Sequence, residues 1–248
     1  MRDQQAINID QRTMQDPVRK LVPIHDCDSV SLSLQKFLNV SRACSKDTLK
    51  DFCRDVEKKK SRIQSAFSKI PEISGAHTFT AVNRGRLLVN HTGGIIENSN
   101  LALHRFFGCP VIPGSALKGI ARSAAAADEG KDPEQFARVF GGLEKGKSDT
   151  AGSVAFLQAL PVDNKWKMTV DVLTSHHGSD TKNPTPVFFP AVESGAVFRF
   201  VIAPTSRTED GDLDFAEKYL KTALTENGVG AKTAAGYGWF EIKEDHHA

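Results

Sequence analysis

Cysteine is scarce in this sequence: Cys27, Cys44, Cys53 and Cys109 are the four in 248 residues, and no two of them form a Cys-x-x-Cys pair. So sparse a set excludes a disulfide scaffold and a zinc finger, and buried reduced thiols are expected instead. No apolar run approaches the roughly 20 residues that a membrane helix needs. The opening MRDQQAINID has no apolar core of a secretory leader, so a cytoplasmic protein is expected. An excess of one charge is also missing. The 32 Lys and Arg stand against 30 Asp and Glu, a net of +2, so any contact with a polyanion must be a local patch.

What is present is an ordinary globular composition, 40% apolar and 25% charged, which rules out a disordered chain or a rod. Residues 1–28 show no sustained period, and Pro17 and Pro23 interrupt them. A helical pattern is plausible from Ser29 through Leu32, Leu34, Phe37 and Leu38. It becomes clear after Ser45, where Leu49, Phe52, Cys53, Val56, Ile63, Phe67 and Ile70 recur at three- and four-residue spacing until Pro71. The other side of this long amphipathic helix carries Lys46, Lys50, Arg54, Lys58 and Arg62, beside Asp47, Asp51 and Asp55. That stripe is either a solvated face with local ion pairs or a track for phosphates.

Beyond residue 75 the period changes to two. Strands are expected at 86–90 (RLLVN), 154–160, 166–172, 197–202 and 237–242. Helices are expected at 116–127, capped by Ser115, from Asp132-Pro133 through Phe140, and at 215–224, ending at Asn227-Gly228. Between them, 173–187 reads as a polar loop. The main elements give β, α, β, β, α, β with hairpin insertions, an α+β ferredoxin-like fold of residues 76–248, with an N-terminal arm and helices in 1–75 packed outside it.

Two segments can carry chemistry. The first, GVGAKTAAGYG, places Gly228, Gly230, Gly236 and Gly238 around Lys232 and Thr233. Such a backbone can lie close to a ligand and offer N–H groups, with Lys232 as a point charge for phosphate. It is not a nucleotide P-loop, because Ala231 stands where a glycine should precede the lysine and a strand follows in place of a helix. In the second, GCPVIPGSALKGIAR, Pro113-Gly114 makes a turn and Ser115 caps a helix whose free N–H groups favour an anion, with Lys118 and Arg122 on one face. Alone, a capped helix with two basic side chains is commonplace. Tyr237 and Trp239 lead out of the glycine-rich loop into the last strand, and one of them is free to stack on a base or ribose; Trp239 is expected in the core.

Read together, RLLVNHTGGIIENSNLALHRFFGCPVIPGSALKGIAR, then FGG, SVAFLQALP, DVLTSHHGSD and the closing GVGAKTAAGYGWF resemble the RAMP superfamily of CRISPR proteins, and within it the subunits of type III-B (Cmr) effector complexes. The resemblance covers about residues 84–243. It implies an RRM-like fold, a place in a multisubunit ribonucleoprotein of antiviral defence, and contacts to CRISPR RNA or its duplex with target RNA. The implied partners are a backbone RAMP subunit, a small subunit and a capping RAMP subunit, with no membrane, metal or cofactor. The expected RNA contacts are Arg84, His104, Ser115, Lys118, Arg122, His176, His177, Gly230, Lys232, Thr233 and Tyr237.

In related backbone subunits an aspartate in the loop before the Pro-Gly-Ser helix supports target cleavage. Between Arg84 and Gly114 this sequence has no aspartate and only one carboxylate, Glu97; Asn98 and Asn100 cannot replace an anion. A non-catalytic subunit is therefore expected. Two alternatives remain: a metal-independent processing endoribonuclease using His91 or His104 as general base, and a target-cleaving backbone subunit with an unrecognised carboxylate. The pair His176-His177 lacks neighbours to complete a zinc site and reads as surface RNA contact or flexible loop.

Overall fold

The computed structural model describes residues 30–32, 34, 46–60, 72–91, 100–142, 150–174 and 186–243. The chain divides into two compact units, one built from 1–64, 90–110 and 167–192 and the other from 65–89, 111–166 and 193–248. Segments 90–110 and 167–192 thus cluster with the N-terminal segment rather than with the residues that flank them in sequence.

In the first unit, after a helical turn at Val30–Leu32, helix α1 (Lys46–Lys59) buries Leu49, Phe52, Cys53 and Val56. The basic residues Lys46, Lys50, Arg54 and Lys58 are exposed. Local pairs account for part of the charge: Arg54 to Asp51 at 2.9 Å and Lys59 to Asp55 at 2.8 Å. Arg62 lies outside the described residues.

The larger unit begins with strand β1 (His77–Asn83), followed by helices α2 (Gly114–Ala127) and α3 (Pro133–Phe140). Strands β2 (Val154–Phe156) and β3 (Leu160–Pro161) come next. The chain then passes through the first unit as β4 (Met168–Thr174) and β5 (Pro186–Val192), an antiparallel ribbon on which α1 packs. It returns as β6 (Val197–Pro204), helix α4 (Asp212–Glu226) and β7 (Phe240–Lys243). The sheet order is β2-β6-β1-β7, with β3 also on β6, and all these pairings are antiparallel.

Alternation explains which side of this sheet is dry. Phe79 and Ala81 on β1, Phe198 and Phe200 on β6 and Phe240 on β7 are all buried, as period-two side chains on one face must be. Phe79 stacks on Phe200 at 5.1 Å, and Phe240 meets Phe198 and Phe200 edge-on. Helices α2 and α4 pack together, with Leu117, Ala121 and Ala125 buried on one and Ala216, Leu220, Ala223 and Leu224 on the other. Small side chains on both helices permit a close approach.

An ionic cluster around the buried carboxylate of Asp212 ties α3 and α4 to the start of β2. Arg138 donates from Nε and an Nη to Asp212, whose carboxylate also accepts from Ser153 Oγ at 2.7 Å and from the Glu209 N–H at 3.1 Å. Burial alone would raise the Asp212 carboxyl pKa; the bonds from Arg138, Ser153 and Glu209 outweigh it and hold the pKa below its ordinary value.

Several boundaries differ from those expected. The first strand is 77–83, not 86–90: Leu87, Leu88 and Val89 are buried in succession rather than alternately, and their segment gives its carbonyls to the glycine-rich loop. The strand expected at 154–160 is broken, because Ala159 turns to exchange hydrogen bonds with Ile112. Part of the supposed polar loop is β5, whose Pro186 and Pro190 disguise a strand. Helix α2 starts two residues earlier than a Ser115 cap allows, with Pro113 at the N-cap and no side-chain capping bond. The cap at Asp132 is as expected: its Oδ1 accepts from the Glu134 N–H at 2.9 Å. Cys53 is buried, and Cys109 is a buried thiol whose pKa is pushed up to about 12 by burial.

Candidate nucleic-acid interface

Residues 228–238 form a loop whose shape is set by five left-handed residues, Gly228, Gly230, Lys232, Gly236 and Gly238. Its backbone is tied to the segment after β1: the Ala231 N–H donates to Leu88 O at 2.7 Å, and the Gly238 N–H to Arg86 O at 2.7 Å. The Val229 N–H donates to Gly238 O at 2.8 Å and closes the base of the loop. Two of the glycines are therefore required by the chain itself. A Cβ on Gly230 would overlap the Leu88 carbonyl, and one on Gly238 the Val229 carbonyl. Gly236 is different, since nothing lies within 4 Å of where its Cβ would be.

The tip is a short 3-10 turn, Thr233–Ala235, flanked by Lys232 at φ 61° and Gly236 at φ 89°. Ala234, Ala235 and Gly236 are exposed, and Lys232 and Thr233 half-buried. A left-handed lysine is uncommon, because the Cβ crowds its own carbonyl. Here the local turn holds it, with Lys232 O accepting from the Ala235 N–H at 2.9 Å.

The aromatic pair is reversed from expectation. Tyr237 precedes β7 and is buried, whereas Trp239 is 36% exposed and donates from Nε1 to Thr233 O at 2.9 Å. Residues two apart in a strand share a face, so alternation could not separate this pair, and the strand itself begins only at Phe240. Arg84 meets the same region through its backbone, its N–H donating to Trp239 O at 2.8 Å. Its exposed guanidinium lies 3.5 Å from Glu241.

Ser115, Lys118 and Arg122 follow one another along α2 at helical spacing, with Ser115 and Arg122 exposed and Lys118 half-buried. Gly119 beside them has no atom within 4 Å of its Cβ position, so this face is open. Gly114 has a structural task, because a Cβ there would overlap the Phe156 carbonyl of β2. The Arg122 guanidinium lies 5.9 Å from the Phe136 ring centre.

His104 belongs to the other unit. Its Nδ1 accepts from the Phe107 N–H at 3.1 Å and the Phe106 N–H at 3.3 Å, and its ring stacks on Phe107 at 4.5 Å. Desolvation lowers its pKa. A neutral imidazole whose Nδ1 is an acceptor carries its proton on Nε2 and has no lone pair left for a general base. His91 is buried, edge-on to Phe189 at 4.9 Å. His176, His177, Glu97 and Asn98 lie outside the described residues. Among the described residues no group of three or more His, Cys, Asp or Glu stands close enough to hold a metal, and no helix is long and apolar enough to cross a membrane. Sequence reasoning passed over Phe106, which is 85% exposed at the turn that His104 braces.

The model of the RAMP superfamily matches residues 75–241, a span holding β1, the Pro-Gly-Ser helix and the glycine-rich loop, and the chain belongs to that superfamily. Within it the chain is similar to the CRISPR system Cmr subunit Cmr6 of Pyrococcus furiosus, 25% identical over 225 residues, 62% of this chain and 64% of the relative. The corresponding Cmr6 of Saccharolobus solfataricus is 26% identical over 196 residues, 74% of this chain and 65% of the relative. The chain thus spans just under two thirds of the length of both. A cryo-EM structure of the type III-B Cmr-beta bound to cognate target RNA is similar in fold, with a TM-score of 0.54 at 21% identity over 87% of this chain and 70% of that one. The motif resemblance to type III-B RAMP subunits, in detail to the sixth of them, accords with both relatives.

Proposed function

We propose that this chain is a non-catalytic RNA-binding subunit of a type III-B CRISPR ribonucleoprotein effector, where it holds the 3′ part of the CRISPR RNA and of its duplex with target RNA. In that role it works in the cytoplasm, in antiviral defence, beside the backbone RAMP subunit, the small subunit and the capping RAMP subunit. Its relatives' names and the family match across 75–241 support the assignment to such an effector. The strand order β2-β6-β1-β7, with α2 after β1 and α4 after β6, supports a ferredoxin-like reading of the RAMP domain, 76–248, to which 1–75 is an elaboration.

The observation that carries RNA binding is the glycine-rich loop. Its backbone is fixed by its own hydrogen bonds, its tip is bare, and Lys232 is set beside that tip in a left-handed conformation. A fixed loop with a cation at its tip pre-organises a contact with phosphate. The non-catalytic reading is supported by the shortage of carboxylates between Arg84 and Gly114 and by the acceptor state of His104 Nδ1.

Titrating labelled single-stranded RNA with the chain at several salt concentrations tests the binding. Affinity falls with salt, each neutralised phosphate contributing about −0.7 to the log–log slope, and base sequence matters little. Binding indifferent to salt would remove the phosphate-contact reading.

A further inference from the structure

We propose that the indole of Trp239 is a stacking platform for an unpaired RNA base at the glycine-rich loop. The inference rests on the RNA-binding reading above and adds which chemical group of the RNA this loop engages. Trp239 stands between buried Gly238 and buried Phe240, yet it is among the few large apolar side chains left exposed in the described structure.

Its only polar group is already used. The Nε1–H donates to Thr233 O at 2.9 Å, which orients the ring and leaves no directional donor for reading a base edge. What the side chain still offers is its π surface, and stacking on such a surface tolerates any base, since every base has a π face.

The surroundings suit a nucleotide. The turn to which the indole is pinned is bare, with Ala234, Ala235 and Gly236 exposed and open space where a Gly236 side chain would stand. Two cationic residues adjoin it along the backbone: Lys232, whose carbonyl accepts within the same turn, and Arg84, whose N–H donates to the Trp239 carbonyl. An oriented ring with cationic neighbours matches the two parts of an unpaired nucleotide, base and phosphate. A partner protein's apolar side chain would instead favour a broad apolar surround.

The chain contains two tryptophans, and the other, Trp166, is 1% exposed, so indole fluorescence that responds to a ligand in solution reports on Trp239. The full chain is titrated with short oligouridylate while indole emission and the anisotropy of the labelled RNA are followed together. Emission is quenched in step with binding, and an abasic oligomer of equal length binds without quenching. Trp239→Leu weakens binding about tenfold, within the range for one stacked base, and leaves the salt slope unchanged. Trp239→Phe, which keeps a flat ring but loses the Nε1–H, retains most of the affinity, with circular dichroism confirming that both variants fold. Binding without quenching, together with a Leu variant as tight as the parent, would overturn the stacking platform and leave a phosphate-only RNA site. Equal losses in Leu and Phe variants would make the indole a packing element and also overturn it. No binding by the parent would remove both this inference and the RNA reading on which it rests.

Discussion

Gly230 lies against the carbonyl of Leu88: a Cβ on Gly230 would overlap that oxygen, which also accepts the Ala231 N–H at 2.7 Å. Gly236, six residues on in the same loop, has a left-handed φ of 89° but no atom within 4 Å of its Cβ position. The two glycines therefore separate a position that the fold fills from one that stands open. Gly230→Ala adds both backbone strain and a steric conflict and is expected to cost about 3 kcal/mol of stability. Gly236→Ala adds only the left-handed strain, about 1 kcal/mol. Denaturant titration of both variants checks the order, and equal losses would contradict it.

Lys232 provides the complementary variant. Lys232→Gly removes the charge and also the strain of an L-residue at φ 61°, so stability stays within about 1 kcal/mol of the parent. RNA affinity falls, and the salt slope becomes shallower by about 0.7. Lys232→Ala loses the charge and keeps the strain. If both variants bind with the parent's affinity and slope, Lys232 touches no phosphate.

The Asp212 cluster predicts an acid limb of stability. The folded-state pKa of Asp212 is depressed, because the bonds from Arg138, Ser153 and Glu209 outweigh the effect of burial. A depressed carboxyl contributes stability above its unfolded value, about 3.9, and that contribution is lost as pH falls through the folded value. Asp212→Asn leaves Arg138 with Glu209 as its remaining carboxylate and weakens the bonds at a buried site, which is expected to cost about 2 kcal/mol at neutral pH. It also flattens the loss of stability below about pH 4. Unfolding curves of parent and variant between neutral and acid pH decide this, and parallel acid limbs would remove the assignment.

The purified chain is expected to cleave neither guide nor complementary target RNA, with magnesium or with chelator. A metal-assisted cut needs a carboxylate at the scissile phosphate, and the stretch between Arg84 and Gly114 offers only Glu97. A metal-free cut needs a histidine lone pair at a 2′-hydroxyl, and that of His104 Nδ1 already accepts two backbone N–H groups. Cutting that survives chelation and vanishes in His104→Ala or His91→Ala would establish the processing nuclease. Magnesium-dependent cutting lost in Glu97→Ala would establish the target-cleaving subunit.

How far the sequence carried can be traced residue by residue. Helix α3 was legible because Asp132-Pro133 is a strong start signal, and both its cap and its first residue stand where that signal puts them. Most of β6 and α4 were legible from period and from the stop at Asn227-Gly228. Strand β1 was not. HTFTAVN buries only alternate small or aromatic residues, while the neighbouring RLLVN advertises a strand and in fact packs as an irregular segment beneath the loop. At the candidate site the glycine-rich loop was visible, but the division of labour among its glycines was not, because it depends on Leu88 and Val229 carbonyls brought there by the fold. The exposure of Trp239 was not legible, because it and Tyr237 precede the strand and their opposite burial is set by the loop, where the indole is held on Thr233 O.

Membership of a guide-RNA effector is tested most directly by isolating the chain from its native cells with its partners and sequencing the RNA that comes with it. Intact CRISPR RNAs are expected together with other type III-B subunits, with ultraviolet cross-links to the guide or its target within residues 228–239. A chain recovered alone and free of RNA, or cross-linked only to RNA unrelated to CRISPR arrays, would contradict it.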